Sequence, residues 1–256
     1  MLMKKLKRIL YPLCAILLLY AAGNLWKIKT STDTAKKLYD TLAQQASTEA
    51  SAQEKSTGSA EEKDKVIANP WLQKLQEQNN ELVGWIKIPD TSIDYPVMQT
   101  GSDNDYYLTH DFKKEKNVHG TPFLDINCEI GQSQNLIIYG HHMKDGTMFQ
   151  NLMFYKDANY CKNNGTIYFD TPEKSEEYQV IFVLLLSEEE TREFPYYKCI
   201  DLSKKEIYQG FLERCRQYAL WHSDKLPKTG TPLLTLSTCE YSTENGRLVV
   251  VAKKII

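Results

Sequence analysis

The sequence predicts a mainly β domain of eight short strands, closed as a barrel or packed as a sandwich, behind a helical N-terminal segment. After Asn80, apolar and β-branched residues come in short runs separated by turn residues such as Pro89-Asp90 and Asn163-Asn164-Gly165. Runs of this kind favour a barrel or a sandwich, because both architectures bury one face of every strand. The predicted strands cover residues 83–88, 93–97, 121–126, 135–139, 166–170, 178–186, 233–238 and 248–256.

Helices are predicted at three points around these strands. Asn69-Pro70 supplies an N-cap residue and a first-turn proline for a helix that opens the folded domain. Residues 147–155 are predicted to form a short helix, and a longer one begins at Ser203, which has the capping-box spacing to Glu206. The apolar stripe predicted for the longer helix consists of Ile207, Phe211, Cys215 and Tyr218.

The first 30 residues are predicted to anchor the chain in a membrane. Four cationic residues precede the apolar run 9–26, which as a helix would extend about 27 Å, close to the thickness of a bilayer core. Two cationic residues follow the run, and this imbalance favours a cytoplasmic N-terminus and an external C-terminal domain. A cleaved signal peptide is the alternative, because Ala21-Ala22-Gly23 offers small residues for cleavage.

Composition divides the rest of the chain into a polar stalk, residues 31–66, helical around residues 35–42, and a folded domain, residues 67–256. Residues 1–30 hold six of the 31 basic residues and no acidic one, which leaves 25 basic against 33 acidic residues beyond them. This balance argues against a nucleic-acid partner.

Six cysteines without a C-x-x-C pair, and adjacent rather than helically spaced histidines, favour neither a disulfide framework nor a metal site.

Two predicted strands near the C-terminus bring a cysteine and an arginine together. The run Thr235-Leu236-Ser237-Thr238-Cys239 ends one strand, and Arg247 begins the next after a short loop. In an antiparallel hairpin such residues lie about 5 Å apart on one face. A cation there favours the thiolate and then holds the oxyanion of a tetrahedral intermediate. Cys239 is therefore the candidate nucleophile and Arg247 the candidate transition-state cation.

A histidine that follows a buried strand supplies the candidate acid/base. Residues 135–139 lead into Gly140 and then His141-His142, so that an imidazole stands on a rigid frame at a strand end. Each candidate alone has an ordinary structural explanation as a packed thiol, a solvated charge or a structural histidine. Their joint occurrence at strand ends favours an active site.

These motifs together resemble the sortase family, class B in particular. The resemblance extends from about Trp71 to the C-terminus and implies a closed eight-stranded β-barrel with an N-terminal helical extension and an inserted helix before the strand of the catalytic cysteine. It also implies that His141, not His142, is catalytic. The segments that carry it are Thr235-Leu236-Ser237-Thr238-Cys239-Glu240, Arg247-Leu248-Val249-Val250-Val251-Ala252-Lys253 and Tyr139-Gly140-His141-His142-Met143.

The resemblance implies a cysteine transpeptidase without cofactor or metal. Such an enzyme cleaves a C-terminal sorting signal of surface proteins between threonine and the next residue, through a thioester on Cys239. It then transfers the acyl group to an amine of a peptidoglycan precursor or a pilin. The expected location is the cell membrane, with a single N-terminal span and an extracellular catalytic domain. The residues that match the substrate groove are Asn104, Leu108, Tyr196, Ser237 and Glu240.

Several alternatives stay open at the level of sequence. No carboxylate is placed to orient His141, which favours a Cys-His-Arg arrangement over a full triad. The run Leu226-Pro227-Lys228-Thr229-Gly230 itself resembles a sorting signal, but no apolar span and basic tail follow it, so we expect a turn. A cysteine hydrolase that releases product to water is the second functional hypothesis, and a surface binding module with an inert Cys239 is the third.

Overall fold

The computed structural model describes residues 2–56 and 69–255. Two compact units, Met1–Asp40 and Thr41–Ile256, make up the chain. One long helix, α1 (Leu2–Ser56), accounts for the described part of the first unit and the start of the second. Within the described ranges, no helix combines the length and apolarity that a bilayer span requires. The membrane anchor over residues 1–30 stays a prediction.

The stalk is more helical than its composition indicates, because α1 continues to Ser56 rather than ending near residue 42. Leu42 and Ala46, one turn apart, are both buried. A salt bridge of 2.7 Å joins Glu49 of this segment to Lys74 of the next helix, α2 (Pro70–Gln78). These tertiary contacts support a helix that local periodicity does not reveal. Residues 57–66 of the predicted stalk lie outside the described residues.

Eight strands close into a mixed β-barrel, as the resemblance implied. They follow one another around the ring in the order β5-β1-β2-β3-β4-β8-β9-β6, and β6 pairs again with β5. The pairs β2–β3 and β4–β8 are parallel, and the remaining pairs are antiparallel. A ninth strand, β7, pairs with β6 and was not predicted. The strands are β1 (Leu82–Lys87), β2 (Asp94–Met98), β3 (Phe123–Leu124), β4 (Asn135–Tyr139), β5 (Thr166–Asp170), β6 (Ser175–Leu186), β7 (Ala219–His222), β8 (Leu233–Glu240) and β9 (Gly246–Lys254).

Helices fill the connections between strands. The helix predicted for residues 147–155 is a 3-10 helix, Phe149–Lys156, and α3 (Ala158–Asn163) follows it. The long connection between β6 and β7 holds α4 (Glu188–Glu193), the 3-10 helix Tyr196–Lys198 and α5 (Lys205–Gln217). Residues 226–230, which resemble a sorting signal and were expected to form a turn, lie in the connection between β7 and β8.

The capping box predicted at Ser203 is wrong. The N-cap residue of α5 (Lys205–Gln217) is Lys204, and it makes no side-chain capping bond. Ser203 instead donates its N–H to Asp201 Oδ1 over 3.0 Å in an Asx turn before the helix. The apolar stripe of α5 also differs, because Ile207 is 48% exposed whereas Tyr208 is buried beside Phe211 and Cys215.

Asn69 precedes α2 as expected, but its side chain does not cap that helix. It donates instead to the Thr171 carbonyl over 2.8 Å. The residue therefore ties the start of the folded domain to the turn between β5 and β6.

Candidate active site

Cys239 and Arg247 are direct partners in the antiparallel ladder of β8 and β9. Residues paired in this way have Cα atoms about 4.5–5.5 Å apart. Gly246 permits the tight entry into β9, because a Cβ there would lie 2.6 Å from the carbonyl oxygen of Glu240. Asn245 precedes it with φ of 50°, the left-handed conformation that asparagine tolerates. The hairpin therefore brings the thiol and the cation to one end of the barrel.

The arginine is held by its own hairpin loop. Nη1 of Arg247 donates to the carbonyl oxygens of Asn245, at 3.1 Å, and Gly246, at 3.0 Å. The Asn245 side chain in turn donates to Glu188 Oε2 of α4 over 2.8 Å. These bonds hold the guanidinium at the groove that Cys239 also lines, and they connect the hairpin to a helix from the β6–β7 connection.

His141 reaches the same end of the sheet by strand register. In the parallel pair β4–β8, Tyr139 is opposite Ser237, so His141 and Cys239 each follow by two residues. Gly140 continues the pairing with a bond of 3.1 Å from its N–H to the Ser237 carbonyl. A Cβ at Gly140 would lie 2.7 Å from the Phe149 ring, so packing favours a glycine directly before His141.

A backbone carbonyl, not a carboxylate, orients His141. Its Nε2 lies 2.7 Å from the carbonyl oxygen of Leu108. Because a carbonyl only accepts, Nε2 is the protonated nitrogen and Nδ1 is the basic atom of the neutral ring. Among the described residues, no carboxylate hydrogen-bonds to this imidazole.

His142 has a different environment. Its Nδ1 donates to the Cys239 carbonyl over 3.0 Å, and its ring stacks on Tyr241 with centroids 4.9 Å apart. The Tyr241 hydroxyl donates to the His142 carbonyl over 3.0 Å. His142 therefore supports the main chain behind the thiol, whereas His141 lines the groove in front of it.

One groove of about 560 Å³ joins the three candidates to most of the predicted substrate residues. His141, Cys239 and Arg247 line it together with four of the five residues that were predicted to bind substrate: Asn104, Leu108, Tyr196 and Ser237.

Three of these groove residues are fixed by hydrogen bonds. The Tyr196 hydroxyl lies 2.7 Å from Ser237 Oγ. Burial raises the pKa of Tyr196, so its hydroxyl stays neutral. Asn104 Oδ1 accepts from the Ile126 N–H over 2.9 Å, which directs the amide group. The groove thus has a preorganised wall.

Glu240 does not line the groove. Alternation along β8 turns its side chain to the face opposite Cys239, where it is only 6% exposed. The carboxylate accepts from Lys156 Nζ at 2.9 Å and from the Ser242 N–H at 2.9 Å. Burial raises the pKa of Glu240, but the bonds from Ser242 and Lys156 outweigh burial and lower it overall. This ion pair is structural.

The helix α4 also contributes to the groove, and this contribution was not predicted. Glu188, Thr191 and Arg192 of this helix line the groove. Ser187 caps the helix by accepting from the Glu190 N–H at 3.2 Å, while Glu190 accepts from the Ser187 N–H at 2.8 Å. The run Ser187-Glu188-Glu189-Glu190 therefore carried a recognisable capping-box signal.

Cys239 differs from the other cysteines whose side chains are described. It is half-buried at the groove, whereas Cys128, Cys161 and Cys215 are buried in the interior. Burial raises the pKa of Cys128 to about 12 and that of Cys161 to about 11, and it raises the pKa values of Cys199 and Cys215 as well. Among these five thiols, Cys239 is the one that opens onto the groove.

Comparison with known proteins gives the family. Residues 86–255 match the Sortase domain. The chain is 35% identical over 187 residues to Sortase B of Listeria monocytogenes, which covers 72% of this chain and 74% of that protein. A Staphylococcus aureus sortase B–substrate complex superposes with a TM-score of 0.76 at 30% identity, covering 88% of this chain and 98% of the other. A sortase B complexed with triglycine superposes with a TM-score of 0.73 at 30% identity, covering 88% and 98%. This chain belongs to the sortase family and, within it, to the class B sortases, which are cysteine transpeptidases.

Proposed function

We propose that this transpeptidase cleaves a sorting signal of surface proteins between threonine and the next residue and transfers the threonyl group to a cell-wall or pilin amine. The observation that carries the proposal is one groove lined by His141, Cys239 and Arg247, with the last two directly opposed in the β8–β9 ladder. A nucleophile, a proton carrier and a cation are the groups that acyl transfer requires.

In the first half-reaction, the Cys239 sulfur attacks the threonyl carbonyl carbon and its proton passes to Nδ1 of His141. The carbonyl oxygen becomes an oxyanion next to the Arg247 guanidinium. Nη1 is held by two backbone carbonyls, which leaves Nε and Nη2 as the donors proposed to bind the developing charge. The carbon–nitrogen bond then breaks, the leaving amine takes the proton from His141, and a thioester remains on Cys239.

In the second half-reaction, an acceptor amine attacks the thioester carbon and gives a proton to Nδ1 of His141. The second tetrahedral intermediate collapses to a new amide, and the thiolate regains the proton. A glycine peptide carries a primary amine of this kind, and a similar sortase B is complexed with triglycine. An amine of a peptidoglycan precursor or a pilin is the proposed acceptor.

The donor peptide is proposed to occupy the groove along Asn104, Leu108, Tyr196 and Ser237. Asn104 offers an oriented amide to a peptide main chain, while Tyr196 and Ser237 provide a neutral wall. A similar sortase B forms a substrate complex with the same overall fold. A peptide that lies along these residues would bring its threonyl carbonyl to Cys239.

Sortase family enzymes act at the cell surface. We propose that residues 1–30 hold this chain in the membrane as a single span with a cytoplasmic N-terminus, and that residues 31–66 carry the catalytic domain outside. The basic start and the apolar run 9–26 support this orientation.

Mass spectrometry tests the proposed function. The full-length chain is incubated with a library of sorting-signal peptides, with and without triglycine. We expect a covalent adduct on Cys239 that triglycine discharges into a new amide, and the adduct identifies the accepted signal. Release of the free acid at the same rate with and without triglycine would indicate a hydrolase instead. The absence of any adduct would favour a binding module.

A further inference from the structure

We propose that His119 and Asp145 are positioning residues for His141, because together they hold in place the backbone carbonyl that orients the His141 ring. The inference rests on the proposed acid/base role of His141. No carboxylate of the described residues hydrogen-bonds to this ring, so the orienting task falls to the Leu108 carbonyl, 2.7 Å from Nε2. Leu108 ends the short 3-10 helix Tyr106–Leu108 and is not part of the barrel sheet. Something other than the strands must fix its position.

Gly120 packs directly against this carbonyl. A Cβ at Gly120 would lie 2.8 Å from the Leu108 oxygen and still closer to the Tyr107 oxygen. The next residue, Thr121, donates from its N–H to the Tyr107 carbonyl over 2.9 Å. The missing Cβ of Gly120 permits this close approach, and its φ of 58° is a conformation that glycine adopts readily. A displacement of this segment therefore displaces the acceptor of the His141 ring.

His119 is the side chain that secures the segment. It is 1% exposed although its neighbour Val118 is 62% exposed. Nε2 of His119 lies 2.7 Å from Asp145 Oδ2, and Nδ1 lies 3.3 Å from Asn117 Oδ1. Both partner atoms only accept and a neutral imidazole has one N–H, so the shorter contact, to Asp145, is the bond that holds the ring inside the protein.

Asp145 connects the pair to the main chain of His141. It lies four residues further along, and its Oδ1 accepts from the Thr147 N–H at 3.0 Å and the Thr147 hydroxyl at 2.6 Å. Burial raises the pKa of Asp145, but the bonds from Thr147 and His119 outweigh burial and lower it. Two residues later, the Phe149 N–H donates to the His141 carbonyl over 2.8 Å.

These contacts form a closed circuit around the histidine. The ring is bound to the loop of Leu108, that loop is packed on Gly120, and His119 bonds to Asp145 in the loop that returns to the His141 backbone. The arrangement differs from a triad, because the carboxylate acts on a second histidine and reaches the catalytic one through the backbone. If the His119–Asp145 contact only stabilised the fold, its loss would leave the orientation of the His141 ring unchanged.

The test replaces His119 in the full-length chain in two ways. His119→Phe keeps a buried ring but removes the hydrogen bond to Asp145. His119→Gln keeps a nitrogen donor near the position of Nε2 and so retains the bond to Asp145. Peptide transfer yields kcat and KM, and side-chain nitrogen NMR of ¹⁵N-histidine reports which nitrogen of His141 carries the proton. Glu176→Gln is the control, because Glu176 is a 7% exposed residue in ion pairs with Lys174 and Lys254 outside the circuit.

We expect His119→Phe to lower kcat about 10-fold to 100-fold with little change in KM, since displacement of a catalytic group by about 1 Å has effects of this size. The Nε2–H signal of His141 should broaden or divide between tautomers. His119→Gln should restore most of kcat, and Glu176→Gln should lower only the melting temperature.

Native kcat and native His141 signals in a folded His119→Phe chain would overturn the inference. So would an equal loss in His119→Gln. If the native chain transfers no peptide while the His141 signal still responds to His119→Phe, the proposed function fails and the positioning role stands.

Discussion

Cys239 and Arg247 lie directly opposite each other in the β8–β9 ladder, and the guanidinium is held there by two carbonyls of its own loop. In the proposed mechanism, this cation is therefore in place before a substrate arrives. A preorganised donor of this kind costs no reorganisation when the oxyanion forms.

We expect Arg247→Ala to lower kcat/KM by ~10²–10³, the range for loss of one oxyanion donor. Arg247→Lys should recover only part of the lost kcat/KM, because a lysine ammonium lacks the planar fork of donors with which a guanidinium binds the loop carbonyls and the oxyanion together. Transfer of a sorting-signal peptide to triglycine measures the effect. A folded Arg247→Ala chain with nearly native kcat/KM would contradict the proposed role.

Iodoacetamide should alkylate Cys239 before the four other cysteines with described side chains, because burial raises the pKa values of those four. Mass spectrometry of a proteolytic digest gives the order of labelling. Cys239→Ala should abolish both thioester formation and this rapid labelling. Uniform labelling of all thiols would favour the binding-module hypothesis.

Asn245→Asp should lower kcat about 2-fold to 5-fold, the effect of an exposed charged contact of ~0.5–1 kcal/mol. The new carboxylate would face Glu188, which now accepts a hydrogen bond of 2.8 Å from the Asn245 amide. Steady-state transfer kinetics measure the change. Glu244→Gln, in the same exposed loop, is the matched control. Equal behaviour of the two variants would argue against a role for the Asn245–Glu188 contact.

Gly140→Ala should destabilise the domain by about 1–3 kcal/mol, because its Cβ would lie 2.7 Å from the Phe149 ring beside the groove. Gly210→Ala in α5 is the control, since nothing lies within 4 Å of a Cβ at Gly210, and this change should raise stability by up to about 1 kcal/mol. Urea denaturation followed by tryptophan fluorescence gives both values. The same sign for the two changes would contradict the packing argument.

Stability should fall at acid pH in part through Glu176. Burial raises the pKa of Glu176, but the bonds from Lys174, Lys254 and Tyr178 outweigh burial and hold it below the ordinary value of 4.5. A carboxyl with a depressed folded-state pKa contributes stability above its unfolded pKa, and this contribution is lost as the pH falls through the folded pKa. Melting temperatures between pH 7 and roughly pH 3 should therefore drop less steeply in Glu176→Gln than in the native chain. Parallel curves would exclude this contribution.

The sequence determined the features that depend on neighbouring residues. The bounds of β4 and β5 were predicted correctly, because each is an uninterrupted apolar or alternating run between turn residues. The pairing of Cys239 with Arg247 was also predicted, since one short loop joins their strands. Strand alternation also predicts that Glu240 points to the face opposite Cys239. Its assignment to the substrate groove did not take this alternation into account.

Features that join distant segments became visible only in the folded chain. The strand β7 has no clear alternation and is defined by its pairing with β6. The carbonyl of Leu108 reaches His141 across 33 positions of sequence, and His119 reaches Asp145 across 26. Hydrogen bonds from backbone groups and from buried polar side chains leave no periodic mark in a sequence, because nearly every residue carries the same carbonyl and N–H. Hydrophobic pattern and turn chemistry therefore determined where the strands and the catalytic candidates lie, and tertiary packing alone decided which groups orient them.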